Sequence, residues 1–144
     1  MKRPERVPDY LEHIAQAIQR AAEYIEGLGS VSAFRQSQRD QDAVIRNIEI
    51  IGEAANQIQK HAPEFVTAHP ELPWIEMRGM RNKMIHDYFD VDLNLVWSTV
   101  KEDLPRLKQA PKKLIDFFDK SLLQHFDFER FLIVRTIPFE RKAL

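Results

Sequence analysis

The chain has 144 residues and a formal net charge of −1, with 44% hydrophobic and 30% charged residues. This length and balance are typical of one soluble globular domain with a buried core. The chain contains no cysteine, which excludes disulfides and cysteine-based metal sites or nucleophiles. Its near-zero charge gives no overall attraction to nucleic acid, so RNA binding would require a local basic patch.

No apolar run approaches the roughly 20 residues that span a membrane, and the first residues do not lead into a signal-peptide core. We therefore expect a cytoplasmic protein without a membrane partner. The chain has 4 glycines and lacks long alternating runs of valine, isoleucine and threonine. These features argue against an all-β fold.

The first predicted helix begins near Pro8 and Asp9. Its apolar residues recur at three- and four-residue steps, at Leu11, Ile14, Ile18, Ala21, Ile25 and Leu28. Gly27 and Gly29 are expected to end this helix in left-handed conformations. The connector that follows, SVSAFRQS, predicts a short helical turn that inserts Phe34 into the core.

The second predicted helix spans about residues 39 to 60, with Ser37 or Asp40 as its N-cap and Pro63 as its terminator. Its apolar stripe consists of Val44, Ile45, Ile48, Ile51, Ala55 and Ile58. Gly52, within the helix, costs roughly 1 kcal/mol of helix propensity relative to alanine. It therefore predicts a close helix–helix contact, or else it clears space beside Glu49 and Glu53.

A proline-bounded connection, HAPEFVTAHPELP, predicts a short turn or helix over the bundle. Pro73 suits the first turn of a third helix that ends between His86 and Phe89. The predicted buried arc of this helix comprises Trp74, Met77, Met80, Met84 and Ile85. The fold prediction at this point is a helical bundle with mostly short connections.

The fourth predicted helix is capped by Asp90 or Asp92, is bent by Pro105 and is broken near Pro111. Its apolar positions are Leu93, Val96, Trp97, Val100, Leu104 and Leu107. The predicted fold class is an all-α, up-down bundle of four to five helices over residues 1–120. We expect residues 121–144 to form a separate C-terminal arm. Its FLIV run favours a packed or strand-like segment over a disordered tail, and such a run would favour association if exposed.

Arg81 falls in the middle of the buried arc of the third helix. An unpaired buried guanidinium costs several kcal/mol, so Arg81 must either meet an acid or line a cavity that receives anions. Glu49 and Glu53, one turn apart on the second helix, are the natural acidic partners. Arg78, Asn82 and His86 share the adjoining flank at four-residue steps and would lie beside this site.

Three blocks of sequence form a recognisable pattern: QDAVIRNIEIIGEAANQI at 41–58, LPWIEMRGMRN at 72–82 and YFDVDLNLVWSTVKEDLPRL at 88–107. Arg81, His86 and Tyr88 form an Arg-x4-His-x-Tyr motif. Together these features resemble HepT-like toxins, ribonucleases of the HEPN superfamily that are encoded beside minimal nucleotidyltransferases. The resemblance covers about residues 9–118.

The resemblance implies a metal-independent endoribonuclease without a cofactor, the toxin of a type II or type VII-like toxin–antitoxin system. His86 would act as general acid and base, because histidine exchanges protons near neutral pH. Arg81 would stabilise the charged phosphate in the transition state. Asn82 would orient phosphate or imidazole, while Arg78 and Lys83 would bind flanking phosphates of the RNA substrate.

Cleavage needs both an acid and a base, but the motif supplies one histidine per chain. The other histidines, His13, His61, His69 and His125, show no partner pattern. The resemblance implies a homodimer, or a higher homo-oligomer, in which two motifs share one cleft. Such a cleft would also concentrate positive charge from both subunits.

The resemblance further implies a cognate nucleotidyltransferase antitoxin that transfers AMP from ATP to Tyr88. The added phosphodiester charge and nucleoside would occupy the anion site and shut out RNA. The simpler alternative is that Tyr88 is a half-buried core aromatic. Similarly, Glu49 and Glu53 are either catalytic or only paired with arginines.

Two other functional readings compete with the ribonuclease. One is a non-catalytic helical binding module that partners a nucleotidyltransferase. The other is a structural helical dimer whose motif forms an ion-pair network. Activity of the purified chain on RNA distinguishes the first reading from these two.

Overall fold

The computed structural model describes residues 6–111 and 113, and within them the chain is helical and has no strand. The elements are α1 (Val7–Glu26), α2 (Val31–Arg35), α3 (Gln38–His61), α4 (Pro63–Ala68), α5 (Trp74–His86), α6 (Leu93–Ser98), a π-helical turn (Thr99–Asp103) and α7 (Leu104–Leu107). The predicted all-α bundle is confirmed. The predicted arm at 121–144 and its boundary at residue 120 lie outside the described residues.

The two long helices form the centre of the bundle, since α3 packs against α1 on one side and against α5 on another. The buried residues of α1 follow the predicted spacing, from Leu11 and Ile14 to Ile25. The expected left-handed glycines are wrong: Gly27 has a φ of −80°, and no glycine has a positive φ. A right-handed turn in which the Leu28 N–H donates to Ile25 O at 2.9 Å closes the helix instead.

The short helix α2 carries Phe34 into the core, where the side chain is fully buried, 5.7 Å from Trp97 between ring centroids. The buried amide of Gln41 donates to Phe34 O at 2.8 Å and to Arg35 O at 3.0 Å. These bonds satisfy carbonyls at the end of α2 that have no partner within the helix. The inserted phenylalanine predicted from the sequence is confirmed.

Predicted capping residues set the limits of α3 and α6. Ser37 is the N-cap of α3, and its hydroxyl accepts from Asp40 N. The helix ends at His61, and its C-cap Ala62 leaves helical geometry because proline disfavours that geometry in the residue that precedes it, here Pro63. Asp92 caps α6 by accepting from the backbone N–H groups of Asn94 and Leu95.

Pro105 distorts the last helical segment, as its sequence position predicts. Proline lacks the N–H that would bond the carbonyl four residues earlier, and its ring crowds that carbonyl. The chain adapts through the π-helical turn, in which the Leu104 N–H reaches Thr99 O. Pro111 itself is helical and buried, and the segment predicted to follow it lies outside the described residues.

The buried face of α5 differs in part from the predicted arc. Trp74, Met77 and Met84 are buried, but Ile85 is 39% exposed and Met80 is only partly buried. Placing Ile85 in the core was wrong, because α5 lies over α3 in a way that turns the flank of Ile85 outwards. No helix in the part of the chain that the structure describes is long and apolar enough to cross a membrane.

Candidate active site at the crossing of two helices

The candidate site lies where α5 crosses α3 at Gly52. A Cβ atom placed on Gly52 would collide with Cβ of Arg81, and it would lie 2.6 Å from Met77 O and 2.9 Å from Arg81 Cγ. Only glycine lets the two helices approach this closely. The predicted close helix–helix contact is confirmed, and it places the stem of Arg81 directly on the backbone of α3.

The guanidinium of Arg81 is held from both sides. Its Nη2 lies 3.3 Å from Glu53 Oε2, and its Nη1 donates to Asn82 Oδ1 at 3.0 Å. The expected pairing of Arg81 with Glu53 is thus confirmed. The two side chains are 33% and 45% exposed, so solvent screens the pair, which orients the guanidinium more than it stabilises the fold.

Glu49 is not a partner of the α5 arginines among the described residues. Its Oε2 lies 3.4 Å from Arg46 Nη1 on the same helix. The expectation that Glu49 would pair with Arg78 or Arg81 was wrong, because the close contact between the helices is at Gly52. Glu53, adjacent to Gly52, is within reach of α5, whereas Glu49 lies a turn earlier.

A cavity of about 320 Å³ opens beside the crossing, between α3 and α5. Arg78, Arg81 and Asn82 line it from α5, with Ile75 as an apolar wall, while Asn56 contributes an amide from α3. Two guanidinium groups and two amides make this cavity suited to a phosphate with an attached nucleoside. The predicted grouping of Arg78 with Asn82 beside Arg81 is confirmed.

His86 stands apart from this cavity. It is the last residue of α5, is exposed and is not among the residues that line the cavity. Five residues at about 100° each rotate His86 about 140° around the helix axis from Arg81. The two side chains of one chain therefore leave α5 in directions about 140° apart, and only that of Arg81 lines the cavity. Lys83 is also exposed, on the same helix.

Tyr88 lies in the turn after α5 and is 69% exposed, next to Phe89, which is 88% exposed. The two rings pack on each other at 4.5 Å between centroids. The alternative of a half-buried core tyrosine is wrong. Its phenol is accessible to solvent, two residues beyond His86.

Sequence reasoning missed several polar residues around Arg81. Gln57 Nε2 donates to Glu53 Oε1 at 2.7 Å, and His61 Nε2 lies 3.1 Å from Gln57 Oε1. The four-residue spacing of Glu53, Gln57 and His61 could have revealed this, since such residues are neighbours on a helix face. Asn56 gave no sequence signal, because its role depends on where α5 crosses α3. Within residues 6–111 and 113, no three His, Asp or Glu side chains cluster closely enough to hold a metal ion.

Comparison with known proteins shows the family. The family model described as "Ribonuclease HepT-like" matches residues 14–114. A probable ribonuclease HepT of Thermococcus cleftensis is 46% identical over 114 residues, which are 79% of this chain and 98% of that protein. A putative RNase of Caldanaerobacter subterraneus is 37% identical over 106 residues, 74% of this chain and 91% of that protein.

One relative with two named functions is similar to this chain over about half of its own length. The gamma-glutamylcyclotransferase and putative RNase of Methanocaldococcus jannaschii is 41% identical over 112 residues, 78% of this chain but 49% of that protein. No solved structure matches the chain. The family match covers the helices that build the crossing and the whole Arg-x4-His-x-Tyr motif, and on these findings the chain belongs to the HepT-like ribonuclease family.

Proposed function

We propose that this protein is the endoribonuclease toxin of a toxin–antitoxin system, of type II or resembling type VII, and that Arg81 and His86 catalyse RNA cleavage without a metal ion. The single observation that carries the proposal is the held guanidinium of Arg81. It is held by Glu53 and Asn82 and lines a cavity that a second arginine, Arg78, also lines. A purely structural ion pair would need neither a second arginine nor a cavity, whereas both are expected of a site that binds a phosphodiester.

The proposed chemistry uses the nucleophile that RNA itself carries. The ribose 2′-oxygen attacks the adjacent phosphorus, and an imidazole takes its proton. The bond from phosphorus to the 5′-oxygen then breaks, and a second imidazole in its protonated form gives that oxygen a proton. The products are a 2′,3′-cyclic phosphate on one fragment and a free 5′-hydroxyl on the other. His86 supplies the imidazole in each case.

Arg81 stabilises the charge that develops on the non-bridging phosphate oxygens. Planar guanidinium donors fixed before the reaction are effective because they need no reorganisation as the charge develops. Asn82 and Glu53 hold this group, and the proposal keeps them as supporting residues. Arg78 and Lys83 bind flanking phosphates, which compensates locally for a chain whose net charge is −1.

The site is completed in a homodimer. Each chain supplies one motif histidine, and His86 does not line the cavity of Arg81 in its own chain. A second copy packed against α5 would bring its own His86 and Arg81 to the same cleft. Exposed apolar side chains on α5 and the following turn support such an interface, with Ile75 at 74%, Ile85 at 39% and Phe89 at 88% exposure.

Tyr88 is the proposed site of control by a cognate nucleotidyltransferase antitoxin. The phenol oxygen attacks the α-phosphorus of ATP, the bond to the β-phosphate oxygen breaks, and pyrophosphate leaves while the phenol proton passes to solvent. The accessible phenol, 69% exposed in the turn after His86, supports this role. The bound AMP then places negative charge and bulk beside the motif and blocks RNA.

The experiment that tests the function is cleavage of an end-labelled RNA by the purified protein in EDTA, followed by analysis of the new ends. We expect cleavage that leaves a 2′,3′-cyclic phosphate and a 5′-hydroxyl. A strict requirement for added Mg²⁺, or new ends with a 5′-phosphate, would contradict the proposed mechanism. A complete absence of cleavage across varied RNAs would favour the binding-module reading.

A further inference from the structure

A line of polar side chains runs along one flank of α3 and ends on Arg81. His61 Nε2 lies 3.1 Å from Gln57 Oε1, and Gln57 Nε2 donates to Glu53 Oε1 at 2.7 Å. The other carboxylate oxygen, Glu53 Oε2, lies 3.3 Å from Arg81 Nη2. Residues four apart on a helix are neighbours, so the backbone of α3 fixes the spacing of this line.

The hydrogen bonds along this line have one possible direction. The Gln57 side chain has a donor end and an acceptor end, and the carboxylate of Glu53 takes the donor end. The amide oxygen of Gln57 must therefore accept from His61, so the Nε2 atom of His61 carries a hydrogen. Each member thereby fixes the orientation of the next, from the end of α3 to the guanidinium.

Glu53 can hold Arg81 through one oxygen or through both, and the hydrogen bond from Gln57 restricts how the carboxylate can turn between these arrangements. A free carboxylate can bind a guanidinium through both oxygens, in the bidentate geometry that arginine favours. Gln57 bonds Oε1, and the ion pair with Arg81 runs through Oε2, so the bond from Gln57 sets the rotation of the carboxylate that faces Arg81. The remaining N–H groups of the guanidinium stay available for an anion in the cavity of about 320 Å³ beside it.

We propose that Gln57, itself oriented by His61, is a positioning residue that acts on Arg81 through Glu53. It keeps the carboxylate from withdrawing the guanidinium out of the cavity and holds its N–H groups towards the substrate phosphate. The inference rests on the proposed ribonuclease function for its effect on catalysis, but its effect on the guanidinium does not depend on that function. Small displacements of a positioned group are costly, since a shift of about 1 Å can lower rates on the order of 100-fold.

The test replaces Gln57 with methionine, which keeps the length of the side chain and removes both hydrogen bonds. Gln59→Met is the matched control, because Gln59 is half-buried on the same helix and its side chain has no hydrogen-bond partner among the described residues. The first measurement is ¹⁵N NMR of the Arg81 guanidinium, in which slow rotation about the Nε–Cζ bond gives separate Nη signals. We expect separate signals in the wild type and in Gln59→Met, and averaged or shifted signals in Gln57→Met.

The second measurement is the rate of RNA cleavage in the same variants. We expect Gln57→Met to lower kcat about tenfold while KM changes little, because a displaced guanidinium affects the transition state more than substrate binding. In a Glu53→Ala background, the further substitution Gln57→Met is expected to have no additional effect on kcat, since the link to Arg81 is already cut. Gln59→Met is expected to retain the wild-type kcat.

The outcomes separate this inference from the proposed function. If wild-type protein cleaves RNA but Gln57→Met leaves both the guanidinium signals and kcat unchanged, the positioning role is wrong and the ribonuclease stands. If Gln57→Met lowers kcat equally with and without Glu53, Gln57 does not act through Glu53 and the inference fails. If the wild type does not cleave RNA, the proposed function fails, and the NMR comparison still decides whether Gln57 orients Arg81.

Discussion

Gly52 of α3 lies against the Cβ of Arg81 of α5, and at this contact the two helices leave no room for a side chain on residue 52. A side chain on Gly52 would collide with Arg81 and would meet the backbone oxygen of Met77 at 2.6 Å. Because a backbone atom cannot move without moving α5, the contact couples the packing of the bundle to the position of the guanidinium. The glycine that weakens α3 as an isolated helix is therefore required by the site.

The first prediction concerns Gly52→Ala. In an open helix this substitution would add about 1 kcal/mol of stability, but here the collision should outweigh that gain, since overpacking typically costs about 1–3 kcal/mol. We expect a lower Tm and a loss of RNA cleavage. Gly79→Ala is the matched control for stability, because a Cβ at Gly79 meets nothing within 4 Å. It should raise the Tm slightly, and a Gly52→Ala protein as stable as Gly79→Ala would refute the close crossing.

The second prediction concerns assembly. Phe89 is 88% exposed beside the motif, and a carboxylate there should oppose burial in a dimer interface. We expect Phe89→Glu to shift the protein from dimer towards monomer in light scattering at micromolar concentration, with reduced RNA cleavage. Tyr24→Glu, at a 41% exposed aromatic on α1, is the control and should stay dimeric. A wild-type protein that is monomeric at this concentration would contradict the shared cleft.

The third prediction concerns Tyr88. Incubation with the proposed nucleotidyltransferase partner and ATP should add the mass of AMP to the peptide that contains Tyr88, and RNA cleavage should fall in parallel. Tyr88→Phe lacks the phenol oxygen that would attack ATP but keeps the ring that packs on Phe89 at 4.5 Å. It should therefore cleave RNA and escape inactivation. A phenylalanine variant silenced as fully as the wild type would show that this tyrosine is not the switch.

Local sequence rules predicted most of the fold because they depend on short-range chemistry. Ser37 and Asp92 cap helices, Pro63 stands just beyond the end of α3, and Pro105 coincides with a distortion. Each of these follows from whether one backbone N–H or carbonyl finds a partner. Gly27 departed from expectation because the chain closes α1 by a right-handed turn, which glycine also permits.

The neighbours of a site residue could be predicted from the sequence when they lie on the same helix. They were harder to predict when they lie on a second helix. The grouping of Arg78 with Asn82 follows from helical spacing, and the pairing of Arg81 with Glu53 follows from the need to neutralise a half-buried charge. Predicting that Glu53 and not Glu49 pairs with Arg81 would require knowing where α3 and α5 cross, and that point depends on tertiary packing. The exposure of Ile85 depends on the same packing, so no pattern within α5 could reveal it.

The position of the cavity on the Arg81 side of α5, where His86 does not line it, is the structural feature that the motif alone does not show. Both residues belong to one short motif, yet the helix turns them to different sides of α5. Spacing in the sequence therefore identifies the residues of the site but not how one chain, or two, assembles them. This is why the oligomeric state and the catalytic mechanism must be tested together.

The most direct test of the central claim compares His86→Ala with His13→Ala in cleavage of RNA in EDTA, with Tm recorded for each. His86 is exposed at the end of α5, and His13 is exposed on α1, where it contacts Tyr10 at 6.1 Å between ring centroids. Removal of a general acid or base typically costs 10²- to 10⁴-fold, so His86→Ala should lose about that much activity at an unchanged Tm. His13→Ala should cleave RNA at the wild-type rate. Full activity in His86→Ala would contradict the proposed mechanism.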